Sequence, residues 1–195
     1  MLTSSKFTPL WLVVAAFAAL AAGCSKQPRQ SSEKQDAAAL AVGVRHASAD
    51  SVWAAMLSSN DRKIATTTYF LNLVRYTNIT DTAAIQRVRM MNDSLKALRY
   101  DQTNLRNLVD AFDAAENRVL QGVGEVYNAN PELQRMMNAA QALEEIKAAD
   151  DSVLIFRYLY DKAADEYNAA LKANAKALKE AEQPMEPLPL FRLNS

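Results

Sequence analysis

One cysteine, one histidine, four glycines and six prolines in 195 residues leave this chain short of the side chains that most site chemistry and most sheet folds require. A single cysteine, Cys24, cannot close a disulfide within the chain or complete a cysteine-rich zinc site. A single histidine, His46, cannot supply the two Glu-x-x-His pairs of a ferritin-like di-iron centre, and near a helix start it reads as a solvent-facing residue rather than a ligand. There is no proline between Pro28 and Pro131, which argues against the closely spaced turns of β and α/β folds. No glycine-rich phosphate loop and no Ser-His-Asp arrangement is available. Charge of one sign is lacking too: 22 basic residues stand against 22 acidic ones, so the chain carries no electrostatic footprint for nucleic acid. These absences leave no catalytic arrangement in view and lead to the expectation of no metal and no cofactor.

What the chain does have begins at its N-terminus. Lys6 is followed by an apolar stretch, Phe7 to Ala22, ending in Leu20-Ala21-Ala22-Gly23-Cys24. This is the layout of a signal peptide. Pro9 to Ala22 gives 14 residues against the roughly 20 of a spanning helix, so a retained transmembrane anchor is the lesser alternative. With cysteine directly after the small residues, the segment resembles a bacterial lipobox, although Leu20 lies one place further from the cysteine than such motifs have it. The resemblance implies cleavage after Gly23 and acylation of Cys24, and Ser25 after the cysteine implies the outer membrane of a two-membrane cell, facing the periplasm. Lys6 is the one charge in residues 1–23, so a chain starting at Cys24 keeps 21 basic and 22 acidic residues, a net of −1.

Residues 24–36 then read as a lipidated, disordered tether: Ser25 to Asp36 is polar, contains Pro28 and shows no apolar period. Residues 37–183 read as all-α, an elongated antiparallel up-and-down bundle of three to four long helices. The first runs from about Ala37 to Tyr76, with Val52, Trp53, Met56, Leu57, Ile64, Leu71, Leu73 and Val74 as its apolar stripe. Asn60 and Thr66-Thr67-Thr68 interrupt that stripe. Thr77 to Asp81 breaks the chain, with Thr80 or Asp81 as the next N-cap.

A second helix, about Thr82 to Val123, carries a heptad, coiled-coil seam: Leu98, Gln102, Leu105, Val109, Phe112, Glu116, Val119, Val123 and, just beyond it, Val126. Asn130-Pro131-Glu132 restarts the chain as cap, first helical residue and dipole partner. The third helix runs to about Ala181, with a kink or break possible at Ala148 to Ser152. Residues 184–195, with Pro184, Pro187 and Pro189, form an extended tail. The tail either lays Leu188, Leu190 and Phe191 on the helices or serves as a partner-binding motif.

In the third helix Glu145-Ile146, Asp150-Asp151, Val153, Arg157, Tyr160-Asp161, Tyr167-Asn168 and Leu171 fall at spacings that resemble the C-terminal half of LemA-family proteins. Tyr127 with Pro131-Glu132-Leu133, and Trp53 with Arg62-Lys63 and Asn72-Leu73-Val74, resemble further family elements. Leu71 and Asp161 stand where the family has proline and asparagine. The resemblance covers roughly Val52 to Leu171 and implies an elongated helical bundle held at a membrane by its N-terminus, with no established catalytic activity.

Folding back the second and third helices around residue 129 brings Arg157 level with Asp101 and Gln102. An Arg157 pair with Asp101 or a nearby acid is therefore expected as a register device. Folding the first two around residue 79 brings Arg62 near Leu95 to Arg99. Arg157, Tyr160, Tyr167 and Asn168 form either part of the core or an exposed recognition face. Two function classes follow: a lipid-anchored envelope scaffold or protein-partner-binding module, and a periplasmic ligand carrier or enzyme accessory subunit. The expected partners are membrane lipid through Cys24 and a protein of unknown identity. Self-association through the heptad seam is a further possibility.

Overall fold

The computed structural model describes residues 27–78, 81–180 and 185–191. Gly23, Cys24 and the signal segment, like Thr80, lie outside the described residues. Among those described there are six α-helices and no strand: α1 (Gln27–Leu73), α2 (Thr82–Ser94), α3 (Leu105–Asn128), α4 (Pro131–Arg135), α5 (Met137–Ala173) and α6 (Ala175–Glu180). No described helix is long and apolar enough to cross a membrane.

The longest helix, α1, has 47 residues, about 70 Å of helix. Its described part begins at Gln27, so residues 27–36, expected as a tether, are helical. Among its buried residues, Val42, Ala49, Trp53, Met56, Asn60, Lys63, Thr67 and Phe70, with Val74 just past its end, advance by alternating threes and fours after the first step of seven. The seam thus runs unbroken through three polar residues, and the helix does not break at the threonine run. Thr68 instead folds its hydroxyl back onto the Ile64 carbonyl at 3.0 Å.

The end of α1 tightens into a 3₁₀ turn over Val74–Tyr76, and the Thr77 hydroxyl donates to the Val74 carbonyl at 2.8 Å. Asp81 then accepts from the Ala84 amide at 2.9 Å and caps α2.

The helix expected over 82–123 is two helices. Ser94 turns its hydroxyl onto the Met91 carbonyl at 2.7 Å, and Asp101 accepts from the Thr103 amide and hydroxyl and the Asn104 amide. Short polar side chains satisfying their own backbone compete with helix continuation. Leu95 and Tyr100 are nonetheless buried across the break. From Leu105 onward the heptad seam is where the sequence places it, with Leu105, Phe112, Glu116, Val119, Val123 and Val126 buried. Along α3 the glycines differ: a Cβ on Gly122 would stand 2.6 Å from Val88 Cγ2, whereas one on Gly124 would meet nothing within 4 Å. Gly122 is therefore what lets α2 and α3 approach closely.

Asn130 is buried and caps α4, accepting from the Glu132 and Leu133 amides and donating to Thr77 Oγ1. Met136 is extended, at φ −85° and ψ 113°, and α5 starts after it. The third helix thus breaks at Met136 and Asn174, not at Ala148 to Ser152, where α5 is continuous and Ser152 bonds back to Ala148 at 2.7 Å.

Helices α1 and α5 run antiparallel along their length, with His46 meeting Tyr167, Trp53 meeting Tyr160 and Lys63 meeting Asp150. Helix α2 lies against α1, where Asn92 donates to the Ile64 carbonyl, and Arg99 just beyond α2 donates to Asp61. That is the fold-back around residue 79 expected from sequence.

Candidate functional site

Arg157 is buried and forks onto one carboxylate: its two terminal nitrogens donate to Asp113 Oδ2 at 2.7 Å and Oδ1 at 2.5 Å. Asp101, the partner expected from sequence, is exposed and spends its carboxylate on Thr103 and Asn104. With α4 set between the extended Asn130 and Met136, the reversal between α3 and α5 lies about six residues toward the C-terminus of the expected point. The acid level with Arg157 is then Asp113, one turn before Glu116. Burial opposes the guanidinium charge, but the Asp113 carboxylate and the Tyr100 hydroxyl outweigh it and hold the Arg157 pKa above its ordinary value.

A second ionic centre lies further along α1. Lys63, itself buried, is 2.5 Å from Glu116 Oε1 and donates to Asp150 Oδ1 at 2.9 Å. Two carboxylates thus share one ammonium. Burial pushes the Glu116 carboxyl above its ordinary range despite Lys63.

Residues 185–191 lie as an extended strap beside this core, running antiparallel to α5. The Tyr167 hydroxyl donates to the Glu186 carbonyl at 3.0 Å; Asn168 donates to the Leu188 carbonyl at 2.9 Å and accepts from the Leu188 amide at 2.8 Å; and the Phe191 amide donates to Asp161 at 2.7 Å. Pro187 and Pro189 have no amide hydrogen, so within 187–189 the one main-chain donor is Leu188, and Asn168 meets it. The dimensions agree. Seven helical residues from Asp161 to Asn168 rise about 10 Å, and the three extended residues from Leu188 to Phe191 span the same distance.

The Phe191 ring closes an aromatic box. It stacks on Trp53 with centroids 5.9 Å apart, meets Tyr160 edge-on at 5.6 Å and Tyr100 at 6.1 Å, and lies 5.0 Å from the Arg157 guanidinium carbon. Leu188 and Leu190 also pack on the core. The tail therefore takes the first of the two arrangements expected for it.

The structure divides the four residues that sequence grouped on α5. Arg157, Tyr160 and Tyr167 are buried, while Asn168 reaches the strap. Each Tyr-Asx pair, 160–161 and 167–168, puts its tyrosine inward and its Asx on the strap. His46 is partly exposed, 2.9 Å from Asp50 and edge-on to Tyr167. Sequence reasoning placed Glu116 on the α3 seam but missed Lys63 and Asp113 as the charges that pair with Glu116 and Arg157. The signal that could have found Lys63 is the heptad register of α1, which lands on it.

A separate open groove of about 790 Å³ lies between α2, α3 and the start of α4. Arg87, Arg118 and Arg135 line it over an apolar floor that includes Ile85, Val88 and Val126. Three carboxylates line it as well and balance the arginines: Asp81 caps Ala84, Glu125 accepts from Gln121, and Glu132 accepts from Asn78 with Arg135 also acting on it. No family model, curated protein or solved structure matches the chain.

Proposed function

We propose that this chain is a lipid-anchored envelope protein of LemA type, non-catalytic, whose helices form an elongated antiparallel up-and-down bundle that serves as a scaffold and binds a protein partner through an extended peptide. Helices α1 and α5 would be the long members, with α2 and α3 completing the bundle. Acylated Cys24 would hold it in the outer membrane, facing the periplasm. The anchoring and the LemA likeness rest on the sequence resemblances; the observation that supports peptide binding is the two-bond grip of Asn168 on the Leu188 backbone. A side chain reading main-chain amide and carbonyl together, beside an aromatic box that takes the phenylalanine three residues on, is how a groove recognises an extended peptide.

The test is a labelled peptide matching residues 184–195, offered to a chain in which Phe191→Ala and Leu188→Asp loosen the resident strap. Saturable binding that falls about tenfold on adding Asn168→Ala is the expected result. No saturable binding would sink the peptide-groove reading. In the host, Cys24→Ser should move the protein out of the envelope fraction.

The groove favours a second reading, carriage of a small ligand with an apolar body and a charged head, because arginines and carboxylates from separate elements rim an apolar floor. Dodecyl phosphate should bind there and lose about tenfold in affinity with Arg87→Ala or Arg135→Ala. Equal binding of dodecanol would count against it.

A further inference from the structure

The outward face of α5 carries four exposed apolar side chains within two turns: Leu154 (58% exposed), Ile155 (61%), Tyr158 (64%) and Leu159 (41%). At about 100° per residue they point away from the buried Val153, Arg157 and Tyr160. Exposed charges flank them on the same face, Lys147 and Asp151 before, Lys162 and Glu166 after. We propose that two copies of this chain pair antiparallel through this face, about a two-fold axis between residues 156 and 157.

The order of the charges carries the inference. In that register Ile155 meets Tyr158 of the second copy and Asp151 meets Lys162, with Leu154 level with Leu159 and Lys147 level with Glu166 on either side. Every cation faces an anion, and the two-fold repeats each pair, which is the self-complementarity an isologous contact demands. An in-register parallel pairing would set Asp151 against Asp151 and Lys162 against Lys162. The charges thus disfavour that arrangement as they favour the other. Lys147 now pairs with Glu144, one turn earlier on the same exposed surface, at 3.0 Å, and such an exposed pair costs little to exchange. The face is also distinct from the heptad seam of α3, which is buried within the molecule. Four side chains make a small contact beside the roughly 800 Å² per partner of a standard interface, so the pairing is weak and concentration-dependent.

The test uses the full chain in membranes or detergent, with cysteine introduced singly at position 155 or 166 and a short bis-maleimide added, the unsubstituted chain serving as the background control. Residue 155 and its copy are offset by about 4–5 Å along the helices, residue 166 and its copy by about 28 Å. Crosslinked dimer is expected from Ile155→Cys and not from Glu166→Cys. Sedimentation provides the second arm. Asp151→Lys and Lys162→Glu should each weaken self-association about tenfold, and the double variant should restore it, because it exchanges the charges without changing their pairing. Equal crosslinking at both positions, crosslinks only to other proteins, or no rescue by the double variant would each overturn the proposal.

Discussion

Lys63→Met is expected to lower the unfolding free energy by about 3–5 kcal/mol, the usual cost of stranding a buried ion without its partner. In a chain of this size that is a fall in melting temperature of roughly 6–20 °C. The reason is geometric: the ammonium is the cation between Glu116 and Asp150, and removing it leaves two carboxylates facing each other, one of them buried. The loss should depend on pH with a definite sign. Burial raises the Glu116 carboxyl in the folded state, so the fold binds that proton more tightly than the unfolded chain does. The resulting stability is fully present below the unfolded value and disappears as pH rises through the raised folded value. Without Lys63 the folded value rises further, so the deficit of Lys63→Met should be larger at about pH 7.5 than at about pH 5. Urea midpoints at the two pH values check this. In a Glu116→Gln background the same substitution should cost less and its pH slope should flatten; an unchanged slope would show that Glu116 is not the group responsible.

Breaking the Arg157 fork is expected to cost a similar amount, and unequally from its two ends. Arg157 is 5% exposed, whereas the Asp113 side chain keeps 34% of its surface in contact with solvent. Asp113→Ala therefore leaves a cation that water cannot reach and should cost about 3–5 kcal/mol, while Arg157→Met leaves a carboxylate that can rehydrate and should cost less. Arg157→Lys keeps the charge but loses the planar two-bond fit, and should fall between Arg157→Met and the unsubstituted chain. Arg157 also faces the Phe191 ring. Arg157→Met should thus speed hydrogen exchange at the Leu188 and Phe191 amides beyond what global unfolding explains. Thermal melts and exchange rates together separate the two effects.

The helical class and the position of most restarts were legible because they depend on local chemistry. Asp81 and Asn130 cap where short polar side chains precede helical runs, and Phe112 to Val126 are buried where the period places them. Register across the turns was less legible, since the reversal holds a short helix between two extended residues, Asn130 and Met136, and Arg157 pairs with Asp113 rather than Asp101. A count of apolar residues also hid the α1 seam. Asn60, Lys63 and Thr67 interrupt a hydrophobic stripe, yet hold its period and are buried. The strap sites were visible only as a repeated Tyr-Asx spelling seven residues apart; what the polar member grips comes from a tail distant in sequence.

The alternation of proline and leucine in that tail fixes its reading frame. Sliding the strap by one residue in either direction would bring Pro187 or Pro189 opposite Asn168, where the hydrogen bond received from Leu188 would have no donor. A slip of two would keep a donor but pull Phe191 out of its aromatic seat. The tail is thereby indexed like a toothed belt on a sprocket, and any competing peptide would need the same cadence of donors and blanks to displace it.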